Sequence, residues 1–415
     1  MAHVGDLWFS STTGPDGKPI KIKTARHGKG KRWLASWIGP DGRPRTKAYE
    51  KKLDAERFIS AIEADKARGV YLDPSAGKTN FGAYGKKWLA SQATNPSTQE
   101  QAAVAWRVSI EPAFGRREIG SIKPTDIRTW IRDLGETLGP NTIGRRLALL
   151  SMIFTAAVDD GLIAKNPCSS KTVQPPKVPT RKVVPWPIDR VRAVSAALPE
   201  RYRPTATIAA GCGLRQGEVF GLAIEDIDFD EKVIHVRRQV KILYSKHVFA
   251  LPKGDKERTV PLPDSVALTI KDYLKTYPAR KVTLPWGDID GPEVTTELVV
   301  TSRESKAANR NYYNDFIWKP ALEEAGVIAR PHPRAKLPSA REHGMHALRH
   351  FYASVLLDAG ESIRNVSEYL GHSDPGFTLR VYAHFMPESR DRSRRAIDAA
   401  MGFKAQRTDN ERDQG

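Results

Sequence analysis

Six prolines fall within the 22 residues NPCSSKTVQPPKVPTRKVVPWP at positions 166–187. Each lacks a backbone N–H and drives the residue before it toward extended geometry, so neither a helix nor a central strand runs through this stretch. The chain must therefore divide here, with 169–187 as an extended linker between separately folded parts. A length of 415 residues, at roughly 150 per domain, suits two or three such parts, each able to bury a core.

Upstream of the linker two patterns alternate. Within 1–75, Ile20 to His27 and Arg32 to Ile38 read as strands, and Gly39-Pro40-Asp41-Gly42 is a turn that returns the chain through Arg43 to Tyr49. Leu53 to Arg68 then carries Phe58, Ile59 and Ile62 at helical spacing, with Asp54 as N-cap and Gly69 as the stop. Trp33 and Trp37 share a strand face and read as a small core under that helix. Residues 79–168 are helical throughout. Phe81, Tyr84, Trp88 and Leu89 mark a first helix, and Val104, Trp106 and Val108 a second. Pro124 opens a third through Ile127, Trp130, Ile131 and Leu134. A fourth runs from Pro140 to about Val158, burying Ile143, Leu147, Leu150, Ile153 and Phe154.

Downstream, 188–403 is mixed but mainly helical. Helices are expected at 188–197, 204–211, 215–222, 264–276, 309–325, 346–359 and 362–370, and strands at 232–243, 246–250 and 258–262. Residues 404–415 form a polar tail. The fold class is therefore multidomain: a small α+β domain, an all-α four-helix domain and a mixed α/β domain.

Composition narrows the class of partner. Lys and Arg number 66 against 48 Asp and Glu, a net charge of +18 that favours a polyanion. The surplus concentrates in the first 50 residues and between Lys171 and Lys182. No window offers the ~20 apolar residues a bilayer span needs, and MAHVGDLWFS lacks a signal-like apolar stretch, so a cytoplasmic protein is expected. The two cysteines, Cys168 and Cys212, sit in unrelated contexts that suit neither a disulfide framework nor a cysteine zinc site.

Five short words carry the chemistry. In GCGLRQGEVFGL, Arg215 stands where a glycine turn enters a short helix, an outline anion site, with Glu218 one helical turn on to hold its rotamer. In LPKGDKERTVPLP, Lys253 precedes a Gly254-Asp255 turn between two strands, a hairpin tip that Lys256 also reaches. In GMHALRHFYASVLLDAG, His346 and Arg349 share one helical face. His343, His346 and His350 would suit zinc only with the glutamate of an HExxH motif, which is absent, so no metal is expected. Last comes YLGHSDPGFTLRVYAH, where His372 follows a glycine helix stop and Tyr382 lies ten residues further.

This ordered series resembles the tyrosine recombinase (phage integrase) family, closely over 187–401 and in outline along the whole chain, most like the integrases of actinobacterial phages and integrative elements. The resemblance implies that 1–75 binds arm-type DNA sites, that 79–168 is a SAM-like core-binding domain, and that 188–403 is catalytic. It implies that Arg215 and Arg349 clamp the scissile phosphate, that His346 and His372 complete the cradle, and that Tyr382 attacks phosphorus to form a 3′-phosphotyrosine. Lys253 is the expected general acid, with Lys256 on the same loop as the alternative; Glu218 and His350 are expected to support, and His346 is the candidate base. Lys21, Lys23, Arg43, Arg45, Lys177 and Lys182 are the candidate DNA contacts. The implied partners are double-stranded DNA at core and arm sites, a homotetramer in the synaptic complex, and a directionality or DNA-bending factor, in a bacterial host and with no cofactor. The rivals are a type IB topoisomerase-like enzyme and a non-catalytic DNA-binding regulator with the same fold.

Physical chemistry supports the same assignment independently. Two guanidiniums stabilise the charge that a phosphodiester gains in its pentacoordinate transition state, without a metal. A tyrosine with pKa near 10 is only about 0.1% ionised at neutral pH and needs a neighbouring base. The covalent ester conserves the broken bond's energy, so rejoining needs no ATP, and no P-loop is found.

Overall fold

The structure is a computed structural model. It describes residues 2–13, 18–39, 42–69, 71, 73, 75–178, 184–330, 332, 335–372, 374–382, 397 and 400–401. The chain separates into two compact units, Met1–Pro179 and Thr180–Gly415, divided within the proline-rich stretch.

The first unit opens with β1 (His3–Asp6), β2 (Phe9–Thr13), β3 (Pro19–Lys23), β4 (Trp33–Ile38), β5 (Pro44–Tyr49) and α1 (Lys52–Ala67). Three strands pair antiparallel in the order β1-β4-β5, while β2 and β3 form a separate two-stranded ribbon. The expected glycine turn joins β4 to β5, with Gly39 N donating to Arg43 O at 2.8 Å; its Pro40 and Asp41 lie outside the described residues. Under α1 the core is aromatic. Trp37 is buried edge-on against Phe58, and its Nε1 donates to the Tyr71 hydroxyl. Trp33 stays partly exposed, with the Arg32 guanidinium 4.8 Å from its ring centre.

Three expectations change here. The strand begun at Ile20 stops at Lys23, because Thr24 turns the chain back toward His27. β1 and β2 were not expected, being too polar and too short for a clear alternation. Asp54 is not the N-cap: α1 starts after Lys51, which places Asp54 in the first turn, favourable to the helix dipole.

Next come α2 (Phe81–Ala90), α3 (Pro96–Ala105), α4 (Glu111–Phe114), α5 (Pro124–Gly135) and α6 (Pro140–Asp159), with a π turn at Trp106–Ile110 carrying α3 into α4. Proline occupies the first turn of α3, α5 and α6, where its missing N–H costs nothing. Their apolar faces converge on Phe81, Trp106, Ile127, Trp130, Leu150 and Phe154. All five residues expected to form the buried stripe of α6 are buried.

The second unit begins with α7 (Ile188–Ala197), α8 (Arg203–Cys212) and α9 (Gln216–Phe220). Five strands follow: β6 (Ile227–Asp228), β7 (Val233–Val236), β8 (Gln239–Leu243), β9 (Lys246–Ala250) and β10 (Arg258–Pro261). After α10 (Asp264–Thr276), β11 (Arg280–Pro285) and β12 (Glu293–Leu298) form a hairpin. α11 (Arg310–Tyr312) then passes through a π turn at Tyr313–Trp318 into α12 (Lys319–Glu324), and α13 (His346–Asp358), α14 (Ile363–Leu370) and α15 (Pro375–Tyr382) complete the unit. One core gathers α7, α8, α10, α12 and the inward faces of β7 and β10; a smaller one, containing Leu357, Val366, Leu370 and Tyr382, joins α13 to α15.

Two strand expectations are corrected. The alternation at 232–243 breaks at Arg237 and Arg238, because Arg238 turns in to bond buried Asp226 and Thr296. The loop at 251–257 is not a hairpin tip: β9 pairs with β8, whereas β10 pairs with β7, so the loop passes from one sheet to another. The β11–β12 hairpin and α15 were not expected. Among the described residues no helix is long and apolar enough to cross a membrane. The tail at 404–415 lies outside the described residues.

Candidate active site

The site grows out of two left-handed glycines. Gly213 ends α8 at φ 67°, and a Cβ there would stand 2.4 Å from the Tyr352 ring, so only glycine lets α8 approach α13 so closely. The chain leaves that turn through buried Leu214, which sets Arg215 as the first residue before α9. Glu218, three residues on, turns its carboxylate back to accept from Arg215 N at 2.8 Å and from Arg215 Nη1 at 2.9 Å. Gly371 ends α14 at φ 60°, and its carbonyl accepts from Arg215 Nη2 at 3.3 Å.

Arg349 projects from the first turn of α13 into this angle and is 1% exposed. Its Nη1 donates to Gly213 O at 2.6 Å and its Nη2 to Leu370 O, so one guanidinium joins the ends of α8 and α14. Its Nε is buried with no hydrogen-bond partner among the described residues. A buried donor without a partner is costly unless a ligand completes it. Burial, and then the charge of Arg215, depress the Arg349 pKa to about 9.

The carboxylate in the middle is over-compensated. Arg258, at the start of β10, donates to both Glu218 oxygens, Nη1 to Oε1 at 3.0 Å and Nη2 to Oε2 at 2.6 Å. Burial works to raise the Glu218 pKa, but the bond and charge of Arg258, with Arg215 and Arg349, hold it at about 2. Three guanidiniums thus surround one carboxylate, which leaves a positive surplus suited to an anion.

Around this centre stand three imidazoles and one phenol. His372 follows Gly371, and its Nδ1 bonds Thr378 Oγ1 at 2.7 Å; that buried hydroxyl also takes a bond from Ser367 Oγ at 2.8 Å. His346 begins α13 with part of its surface in solvent, and its ring meets the His350 ring edge-on at 4.6 Å. Tyr382, at the end of α15, is 2% exposed, with its hydroxyl 2.5 Å from His350 Nδ1. Burial pushes the Tyr382 pKa up to about 12, and Arg349 and Arg215 pull against that rise. Burial followed by Arg349 brings His350 down to about 4, and His372 falls to about 4 from burial and the neighbouring arginines. The His346 pKa is lowered too, by the protein packed around its ring and then by His350 and Arg349.

Arg215, Glu218, His346, Arg349, His350, His372 and Tyr382 are thus brought together. The hydroxyl bond of Tyr382 runs to His350 rather than to His346, the residue expected to act on it. Lys253 stays apart: it and Lys256 are exposed on the 251–257 loop. Sequence reasoning missed Arg258, Thr378 and Ser367. The signal for Arg258 was available, since Arg258 and Val260 lie on one side of β10, with Leu262 just past its end continuing the alternation, and a cation in line with two buried residues calls for a buried anion. Of the other cationic candidates, Lys21, Lys23, Arg43 and Lys177 are exposed, whereas Arg45 pairs with Asp73 at 2.9 Å. Lys182 lies outside the described residues.

Residues 188–388 match the phage integrase family and residues 81–172 the phage integrase central domain. The chain belongs to the tyrosine recombinase (phage integrase) family. It is accordingly an enzyme of DNA strand cleavage and rejoining, a site-specific tyrosine recombinase. A tyrosine recombinase XerC-like protein of Caldanaerobacter subterraneus subsp. tengcongensis is 31% identical over 260 residues, covering 58% of this chain and 61% of that relative's length. The putative prophage phiRv2 integrase of Mycobacterium tuberculosis is 25% identical over 398 residues, 94% of this chain and 92% of the relative. Among solved structures, the Tn1549 transposon integrase in complex with transposon right end DNA superposes with TM-score 0.61 at 21% identity, over 78% of this chain and all of that one. The recombinase fold, with a β-rich N-terminal region, a central domain and a catalytic C-terminal domain, is therefore shared.

Proposed function

We propose that this recombinase is an integrase that joins a phage or mobile element to DNA through Tyr382, with the site working as follows. The scissile phosphate seats its nonbridging oxygens between Arg215 and Arg349, whose buried Nε has no partner among the described residues, with His346 and His372 closing the cradle. The Tyr382 oxygen attacks phosphorus while its proton passes to Nδ1 of His350. Proton transfer before attack is strongly uphill between a phenol near 12 and an imidazole near 4, so it accompanies P–O bond formation. The arriving phosphate anion also lifts the depressed histidine, since its charge opposes that of the arginines. The 5′-oxygen leaves and takes a proton from Lys253, which the 251–257 loop brings in over bound DNA. The products are a 3′-phosphotyrosine and a 5′-hydroxyl. Attack by a second 5′-hydroxyl reverses each transfer and joins a new partner strand.

Each protomer breaks one strand, and exchange between two duplexes requires four breaks, so the working form is a homotetramer on DNA. In this reading 79–168 is a SAM-like domain that grips the core site with 188–403, and 169–187 links the two along the DNA. Residues 1–75 bind arm sites through the exposed lysines of β3 and Arg43. Phosphate contacts by these cations make binding steeply salt-dependent. A directionality or DNA-bending factor completes the set of partners, and the protein works associated with DNA in a bacterial cytoplasm.

One observation carries the reading: the buried Arg349 Nε, without a partner among the described residues, beside Arg215, with a phenol already bonded to an imidazole alongside. The test is a nicked suicide duplex that traps the covalent adduct. Wild-type protein is expected to accumulate the adduct and Tyr382→Phe to bind the same DNA without it. An undiminished adduct in the phenylalanine variant removes the nucleophile assignment.

A further inference from the structure

Arg258 has no role in the mechanism above, yet its guanidinium is fully engaged at the edge of the cradle. Its side chain is 5% exposed and the Glu218 side chain fully buried. The guanidinium uses three edges: Nη1 and Nη2 form a two-pronged pair with Glu218, and Nε donates to Tyr369 O at 2.7 Å. It also lies against Gly371, whose Cβ position would be 3.1 Å from Arg258 Cδ. Arg258 therefore touches both things that direct Arg215, the Glu218 carboxylate and the Gly371 turn, and that turn leads straight into His372.

Its place in the chain adds a second connection. Arg258 is the first residue of β10, immediately after the 251–257 loop with Lys253 and Lys256, and it is fixed opposite Val236 of β7. A side chain anchored on α9 and α14 at the foot of that loop couples the loop's base to the phosphate cradle.

A plain buried ion pair explains less. Neutralising Glu218 needs one cation, which Arg215 already supplies at 2.9 Å. With Arg215 alone, the carboxylate would draw that guanidinium fully onto itself and away from a phosphate. With Arg258 taking one lone pair on each oxygen, Glu218 orients Arg215 through a single edge, and the net positive charge of the cluster survives.

We propose that Arg258 is a positioning residue of the recombinase: it spares Arg215 for the scissile phosphate by saturating Glu218, and it holds the Gly371–His372 turn and the base of the Lys253 loop in register with it. This rests on the phosphate-cleavage reading above and deepens it.

The test uses the full-length chain on the nicked suicide duplex, with the scissile position either a normal phosphodiester or an uncharged methylphosphonate. For Arg258→Met, the adduct rate at saturating DNA is expected to fall about 10²-fold on the phosphodiester, the scale on which misplaced catalytic groups act. DNA affinity should move less than threefold. On the methylphosphonate, which needs less charge compensation, the deficit relative to wild type should shrink at least tenfold. Equal deficits on the two substrates overturn the proposal, as does a wild-type rate on the phosphodiester.

Because Arg258→Met leaves a buried carboxylate partly uncovered, Arg258→Lys serves as the folded alternative. A lysine keeps the charge but cannot reproduce both prongs and the Tyr369 bond, so its rate should lie between those of wild type and Arg258→Met, with thermal unfolding close to wild type. A folded Arg258→Lys protein at full rate overturns the proposal. In a double-mutant cycle, Arg258→Lys should add nothing to the rate lost in Glu218→Gln, and additive losses also overturn it. Failure of the underlying reading looks different: wild-type protein then forms no adduct, or Tyr382→Phe retains it.

Discussion

The Tyr382 hydroxyl and Nδ1 of His350 stand 2.5 Å apart, on α15 and α13. The pair is closed on one side by the small core of α13 to α15, which holds the phenol ring in place before any substrate arrives. If Tyr382 is the nucleophile proposed above, held this way it loses little orientational freedom on binding DNA, and the proposed base is already within reach.

His350→Gln should lower the adduct rate by about 10²-fold or more, the usual contribution of a positioned base, with DNA binding intact. The pH profile gives the sharper check. In the proposed mechanism the base is the neutral His350 imidazole, and burial with Arg349 nearby lowers its pKa to about 4. Activity at limiting DNA reports the free enzyme, so it should stay level as pH falls from 8 to 5 and drop only toward pH 4. His346 and His372, also depressed, predict the same level region. An acid limb centred near 6.5, measured by initial rates across a buffer series, would contradict this environment.

Glu218 should make the catalytic unit acid-sensitive. Its carboxyl titrates near 2 in the folded chain against an ordinary 4.5. A depressed carboxyl contributes stability that is complete above about 4.5 and disappears as pH falls from 4.5 toward 2. Glu218→Gln leaves the buried Arg258 side chain without its anion and Arg215 without its partner, so at pH 7 it should cost about 3–5 kcal/mol, the penalty of a broken buried pair. Urea unfolding followed in the second unit should show that gap at pH 7 and a clearly narrower one at pH 3. A gap that stays constant with pH would show the carboxylate contributes nothing as an ion.

How far the sequence revealed this molecule depended on the reach of each signal. The stripe of α6 and the helix-opening prolines were readable because each is set by residues three or four apart or by one ring. The order of Arg215, His346, Arg349, His372 and Tyr382 was readable through short local words. What depends on partners distant in the chain was not. The loop carrying Lys253 looked like a hairpin because its flanking strands are consecutive, yet pairing is chosen by the sheets, and β10 found β7. His350 lies one residue past Arg349, and nothing local says that its ring, rather than that of His346, meets a phenol 32 residues later. Thr378 reads as an ordinary helix residue until α15 folds it onto His372.

That last contact can be measured on its own. Thr378 is fully buried and joins Ser367 to Nδ1 of His372, which restrains the ring's rotation. Thr378→Val keeps the shape and removes the bond, a net loss of about 1 kcal/mol that translates into roughly a fivefold lower adduct rate. Thr378→Ser, which keeps the hydroxyl, should recover most of it. Equal rates for the valine variant and wild type would show that packing alone holds His372.

The residue proposed to protonate the leaving oxygen is not part of the buried cluster. Lys253 is exposed at the turn formed by Gly254 and Asp255, which adopt φ 92° and 55°, and Lys256 is exposed three residues on. A flexible donor suits this step, because proton delivery is needed only once DNA lies across the cradle, and an ammonium kept in water until then pays no desolvation cost beforehand. Replacing the 5′ bridging oxygen by sulfur makes a leaving group that needs no proton, since thiolates are far weaker bases than alkoxides. Lys253→Ala should then cleave the normal substrate at least about 10²-fold more slowly and the sulfur-bridged one at nearly the wild-type rate, while Lys256→Ala stays near wild type on both. Rescue of Lys256→Ala in place of Lys253→Ala would move the acid three residues along the loop, and rescue of neither would place it outside the loop altogether.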